Sequence, residues 1–262
     1  MLTSNPVADV SAMIPPLAMQ IYIIAMLVLV VAGTIFDVIH KKSAKYFFEN
    51  AEKAKKSAQR EVAGGDKVSI ALKTAGKDVL TSGEFCNQKR RAAHLLTMYG
   101  FIIFVITSVV LVFGYPTTAA PALVALLWHI GALLVAAGGL WFWFFIRVDV
   151  AAEGHPWYRV IRGDLFVLSL LATTIFALVW SFLQWIDAGA WATLFFWVFV
   201  LSSLVLFGGV PWSKFAHMFF KPMAAYQRRT AEEDGSMDNL PPPADKPEQF
   251  GLGMSARAPR NY

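Results

Sequence analysis

A single cysteine, Cys86, stands in a chain of 262 residues. One thiol cannot close a disulfide within the chain, and it cannot supply the four thiolates of an iron–sulfur cluster. No C-x-x-C-H run is present for covalent haem attachment, so Cys86 reads as an ordinary buried or interfacial thiol. No Gly-rich phosphate loop follows a strand, and no Ser/His/Asp or HExxH arrangement occurs. A self-contained active site of the soluble type is therefore not expected. Charge is scarce too: Asp, Glu, Lys and Arg make up 16% of the residues, against 56% hydrophobic and 14% aromatic. A soluble domain cannot hide that much apolar surface, whereas a bilayer can.

Five long apolar stretches account for the excess. They run over approximately Leu17–Ile39, Leu95–Phe113, Pro121–Ile146, Leu165–Ile186 and Ala190–Val210, each long enough to cross about 30 Å of hydrocarbon as a helix. The first lacks a basic flank and a small-x-small cleavage site before or within it, and reads as a retained helix rather than a signal peptide. The fold class expected is an all-α integral membrane protein, a five-helix transmembrane bundle.

Lys and Arg are missing altogether from one set of connections. The N-terminal residues, 114–120 and 187–189 carry only Asp9 and Asp187. The other set holds Lys41, Lys42, Lys45, Lys53, Lys55, Lys56, Arg60, Lys67, Lys73, Lys77, Lys89, Arg90 and Arg91, then Arg147, Arg159 and Arg162, then Lys214 and Lys221. The positive-inside rule places the N-terminus outside and the C-terminus in the cytoplasm. The net charge of +5 is thus first a topology signal. It calls for no nucleic acid, and an acidic protein partner could also use it.

The expected organisation is a membrane domain over residues 1–222, including a cytoplasmic loop at 41–93, and a polar tail over 223–262. Lys41–Ala63 is rich in Ala, Lys and Glu and reads as a helix extending the first span, with Gly64 and Gly65 breaking it. Asp66–Gln88 reads either as a helical hairpin or as an irregular lobe. The tail, with Pro241, Pro242, Pro243 and Pro247, has too little apolar surface to pack a core alone.

Histidines carry the chemical interest. His40 ends the first span, His94 begins the second and His217 follows the fifth, all at the basic boundary. His155 lies in a basic-side connection, and His129 stands inside the third span, about 12 Å from its far end at about 1.5 Å per residue. A b-type haem needs one imidazole on each face of its ring, so both ligands must share a depth. His94 and His217 meet that condition, His40 is an alternative partner, and His129 has no histidine at its own level. Arg90, Arg91 or Lys214 would neutralise haem propionates or serve in docking, and Asp37 would orient the His40 imidazole. Each residue also has a plainer reading. Boundary histidines can be interfacial rings, His129 a helix–helix hydrogen bond, and Gly138 and Gly139 a close-packing seam. Trp141–Phe145, Trp157, Tyr158 and Trp212 fit an aromatic belt.

The segments GEFCNQKRRAAHLLTMYGFI (Gly83–Ile102) and PWSKFAHMFFKP (Pro211–Pro222), set in this order of spans, resemble the cytochrome b gamma subunits of respiratory nitrate reductases. That family includes the membrane subunits of heterodisulfide reductase and of a quinone-interacting oxidoreductase of sulfate reducers. In more detail, the chain resembles the membrane anchors of dissimilatory adenylylsulfate reductase in sulfur oxidisers. The resemblance covers Leu17 to Pro222. It implies that His94 and His217 are the axial ligands of a cytoplasmic-side haem. The family's outer ligand pair falls here on Phe104 and Phe199, so one haem b is implied rather than two, unless a second is rebuilt around His129.

The role implied is that of a redox subunit in the bacterial cytoplasmic membrane. It would anchor the flavin and iron–sulfur subunits of a cytoplasmic adenylylsulfate reductase and link them to quinone, without performing sulfur chemistry itself. The basic loop Lys41–Arg91 and the tail would form the docking surface. Two further readings stay open: a haem-free anchor with a quinone pocket, and a small transporter or scaffold. No inverted repeat or pair of broken helices supports transport.

Overall fold

The computed structural model describes residues 1–40, 43–83, 85, 87–149, 154–215, 217–236, 249–250 and 254–255. Cys86 and the Pro241–Pro247 cluster lie outside the described residues. Among the described residues the regular structure is helical apart from a two-residue antiparallel pair, β1 (Gln249–Phe250) with β2 (Met254–Ser255). Helices α1 (Pro6–Val10), α2 (Pro16–His40), α3 (Ser43–Ser57), α4 (Gly64–Lys73), α5 (Gln88–Gly114), α6 (Ala122–Trp141), α7 (Leu165–Trp185), α8 (Ala190–Gly208) and α9 (His217–Glu233) follow in order. Five of them, α2, α5, α6, α7 and α8, are long and apolar enough to cross a membrane. These coincide with the five expected spans. The chief difference is at α5, which starts at Gln88, so His94 stands in its second turn rather than at its start.

The chain forms two compact units. The first, Met1–His40 with Ala92–Ala216, holds the spans. Here α6 and α7 are central: half of the most apolar window of α6 is buried, against 17% for α2 and α8. On α2, Leu17, Ile21, Val28 and Val31 are each more than half exposed. Such continuous apolar surface has no place in water and suits contact with lipid.

Glycines set the spacing of the central helices. A Cβ on Gly131 of α6 would lie 2.7 Å from the Phe104 backbone nitrogen of α5, and one on Gly138 would lie 2.7 Å from the Ala93 carbonyl oxygen. The α5 and α6 backbones touch along this line, as small residues permit where no hydrophobic drive separates helix from lipid. Gly139 does the same for α7 against Leu171. The glycine pair is therefore a packing seam.

Several polar side chains in the apolar helices are satisfied locally or across helices, whereas buried Thr34 Oγ1 and Gln184 Oε1 meet no hydrogen-bond partner among the described residues. Thr107, Ser169, Thr173 and Thr174 donate to carbonyls one turn back, which avoids the cost of an unmet hydroxyl in an apolar medium. Tyr22 of α2 donates to the Val200 carbonyl at 3.0 Å and lies 2.8 Å from the Ser203 hydroxyl of α8.

The N-terminal residues, read from the sequence only as an outer segment, pack as a cap on the membrane unit. Asn5 accepts the Val7 amide and donates to the Tyr115 and Thr118 carbonyls of the α5–α6 connection. Val7 and Val10 are buried in the same cluster as Phe104, Trp128 and Trp180.

The second unit, Lys41–Arg91 with His217–Tyr262, is built from α3, α4 and α9. Contrary to expectation, Gly64 and Gly65 do not break a helix. α3 has already ended at Ser57, and the glycines open α4. The open choice over Asp66–Gln88 resolves mostly to helix, since α4 runs into a wide π-helical turn over Thr74–Leu80. α9 continues to Glu233, so the first residues of the expected tail are helical. Gln59 and Arg60 donate backbone N–H groups to the Asp234 carbonyl, and the Arg60 guanidinium donates to the Glu233 carbonyl. Arg229 of α9 grips Asp78 through two hydrogen bonds, 2.6 and 2.9 Å.

Candidate functional site

His94 lies half-buried on α5 in the membrane unit, one residue beyond the wholly packed Ala93. His217 is half-buried at the start of α9 in the second unit. The two imidazoles thus belong to different units, and their pairing is a reading of the sequence. His40 is exposed at the end of α2 and stacks on Phe36 with ring centroids 5.2 Å apart. Asp37, one turn earlier, is buried.

The cations expected near a haem edge have neighbours of their own. Arg91 donates through Nε to the Thr81 carbonyl at 2.7 Å, tying the start of α5 to the turn that follows the π-helical segment. Arg90 places its guanidinium 5.8 Å from the Phe85 ring centre, and Lys221 reaches the same ring at 5.5 Å. Lys214 is exposed at its backbone position, and its stem lies over Gly163, where a Cβ would come within 2.8 Å of Lys214 Cε.

His129 is fully buried on α6 with both ring nitrogens engaged. Nδ1 is 2.8 Å from the Ala125 carbonyl and Nε2 is 2.7 Å from the Ser181 hydroxyl. A carbonyl can only accept, so Nδ1 carries the proton and Nε2 accepts from Ser181. This is a helix–helix hydrogen bond between α6 and α7.

Around His129 the bundle is filled with aromatic rings. Phe104 meets Trp128 at 5.2 Å, Trp128 meets Trp180 edge-on at 6.1 Å, and Trp180 stacks on Phe199 at 5.5 Å with an interplanar angle of 16°. Trp128 also donates from Nε1 to the Ser108 hydroxyl. The two phenylalanines singled out in the sequence are therefore bridged by two indoles. A packed aromatic chain with no free donor atom for iron occupies the interior at that level.

Two buried constellations escaped the sequence reading. Arg147 was counted only as a loop charge, yet it is wholly buried. Its guanidinium pairs with Asp164, donates to the Pro156 carbonyl at 3.0 Å and to the Arg159 carbonyl, and lies 4.2 Å from the Trp143 ring centre. The π-helical turn Phe142–Ile146 at the end of α6 places Trp143 for that contact. The signal in the sequence is a lone Arg one residue beyond an aromatic run, but nothing there names Asp164 as its partner. The Asp78–Arg229 pair joins residues 151 positions apart, a separation that no local pattern reveals.

Among the described residues no three His, Cys, Asp or Glu side chains gather to hold a metal ion. A haem with two axial ligands needs only a pair, and imidazole is a suitable donor. No family model, no curated protein and no solved structure matches this chain.

Proposed function

We propose that this chain is a membrane anchor and electron-transfer subunit that links a cytoplasmic adenylylsulfate reductase to the quinone pool of a bacterial inner membrane. The observation that carries the reading is the division of the chain. Five apolar helices form one unit, and a basic helical unit of different character is assembled from the α2–α5 connection and the C-terminal helix. A basic unit carried on the same chain as five apolar helices suits the capture of an acidic soluble partner.

The donor chemistry fits one haem. His94 and His217 would hold it, and Lys214 and Arg91, each three residues away, are the cations nearest to them in sequence for its propionates. When bound, the haem would supply one-electron transfer between the partner's clusters and quinone. Phe104 and Phe199 offer no ligand, and the rings between them leave the packing at that level closed. The proposal therefore carries a single haem on the basic side, and quinone protons would come from that side. Sulfite would release two electrons as its sulfur bonds to a phosphate oxygen of AMP, and quinone would take those electrons with two protons.

A second reading, an anchor without haem, is favoured by one observation. Gly138 is closed by the Ala93 carbonyl of α5 and Gly139 by the Leu171 side chain of α7, which leaves no room for a flat ring against α6 there. In either form the protein would make quinone reduction by the reductase depend on its presence. Full-length protein in liposomes, given the soluble reductase, sulfite, AMP and a quinone, should reduce the quinone at least tenfold faster than protein-free liposomes. Equal rates would overturn the proposal.

A further inference from the structure

The second unit holds a groove of about 660 Å³ between α3 and α9. Phe47, Ala51 and Ala54 line one side and Tyr226 and Ala231 the other. Phe48 and Met223, at its mouth, are 63% and 53% exposed. Its walls are fixed. Gln227 donates to the Phe47 carbonyl at one end, and the Gln59 and Arg60 amides hold the Asp234 carbonyl at the other. Arg229 bound to Asp78 anchors α9 from behind.

Size and chemistry limit what can enter. The α3 side of the groove extends from Phe47 to Ala58, about 16 Å or three turns at about 1.5 Å per residue. Spread over that length, the volume gives a mean section of about 40 Å², half that of a helix of about 10 Å diameter. The groove thus takes one row of side chains from a helix lying along it, not the whole helix. Over the alanine floor the walls are α3 and α9, whose backbone groups are paired within the helices. At the end formed by residues 58–62 the Gln59 and Arg60 amides are taken by Asp234, so an extended peptide would find no ladder partner along the floor. A helix brings its own hydrogen bonds.

Charge selects the partner. Lys55, Arg60 and Lys67 line the groove. Of the two carboxylates there, Asp234 is buried and accepts the Ser236 amide, which leaves Glu61 as the exposed one. Among its described residues outside the two-residue strands, the unit has fourteen Lys and Arg against eight Asp and Glu.

We propose that this groove receives an amphipathic helix of the partner enzyme, apolar at positions i, i+4 and i+7 and acidic where it meets Lys55, Arg60 and Lys67. The assignment rests on the function proposed above and locates its docking site. The test uses the full chain in nanodiscs with the soluble adenylylsulfate reductase, read as a Kd. Ala54→Trp fills the floor, and Lys55→Glu with Lys67→Glu reverses the rim while leaving the packing intact. Lys73→Glu reverses a single charge on an exposed residue outside the groove. Ala54→Trp and the double reversal should each weaken binding at least tenfold, and Lys73→Glu by less than twofold. If the parent chain binds but neither groove variant weakens it, the groove assignment fails and the anchor function stands. If the parent chain does not bind at all, both fail. If removal of residues 237–262 strengthens binding tenfold and makes Ala54→Trp silent, the groove belongs to the chain's own tail and the proposal is overturned.

Discussion

Asp78 and Arg229 form the shortest ion pair among the described residues of the second unit, with the Asp78 side chain 5% exposed. The Arg229 hydrogen bond outweighs the opposing effect of burial and holds the Asp78 carboxyl below its ordinary value. A carboxyl depressed in the folded state stabilises it at all pH values above the unfolded pKa, about 4, and that stabilisation is lost as pH falls through the lower folded value. Asp78→Asn should cost about 1.5–3 kcal/mol at neutral pH, the worth of hydrogen bonds to a charged group. Amide exchange in α9 should be faster in the variant at pH 7, with the difference shrinking below pH 4. Ser181→Ala leaves the His129 Nε2 acceptor buried without its donor, and should lower stability by about 0.6–1.7 kcal/mol, the range of hydrogen bonds within membranes. Thermal unfolding in detergent reads it. At this scale the sequence exposed little. It marked His129 as a buried polar residue because an imidazole among apolar neighbours is conspicuous. It could not mark Ser181, Asp164 or Asp78 as partners, since each is an ordinary residue until the chain folds.

The spans were legible because lipid demands an unbroken apolar run of about 20 residues, and such runs are visible without knowing the fold. Their arrangement was not. A helix in a bilayer is apolar on its lipid face as well as its packed face, so periodicity does not distinguish α6, at the centre, from α2, at the edge. Glycines carry that information instead, and Gly131 and Gly138 mark the α6 face that meets α5. Gly131→Leu must push apart two backbones rather than bend a side chain. The expected loss is about 1–3 kcal/mol, the usual cost of overpacking, seen as a lower melting temperature in detergent. The connection from α6 to α7 depends on Arg147. Arg147→Met would leave Asp164 buried without its cation and cost about 3–5 kcal/mol. Limited proteolysis should then cut between residues 147 and 164 in the variant and spare the parent. Arg147→Lys should restore little, because one ammonium cannot reach the carbonyls and the carboxylate at once. The helical second unit was half legible: Ala, Lys and Glu announced α3, but two adjacent glycines suggested a break where the structure starts α4.

At the scale of the molecule, the chain joins an apolar five-helix unit to a basic helical one. Every Lys and Arg lies in or beside the α2–α5 and α6–α7 connections or after α8, and Asp9 and Asp187 lie in the alternate segments. On the proposed topology, reporters fused after residue 262 face the cytoplasm and reporters inserted at 116–118 face outside. The central proposal is that His94 and His217 are the axial ligands of one haem. It is tested by the dithionite-reduced minus oxidised spectrum of the purified full-length protein and its variants. The account predicts a b-type α-band with one haem per chain, lost in both His94→Ala and His217→Ala and kept in His129→Phe. The absence of that band from haem-replete preparations, or its survival in both alanine variants, would contradict it.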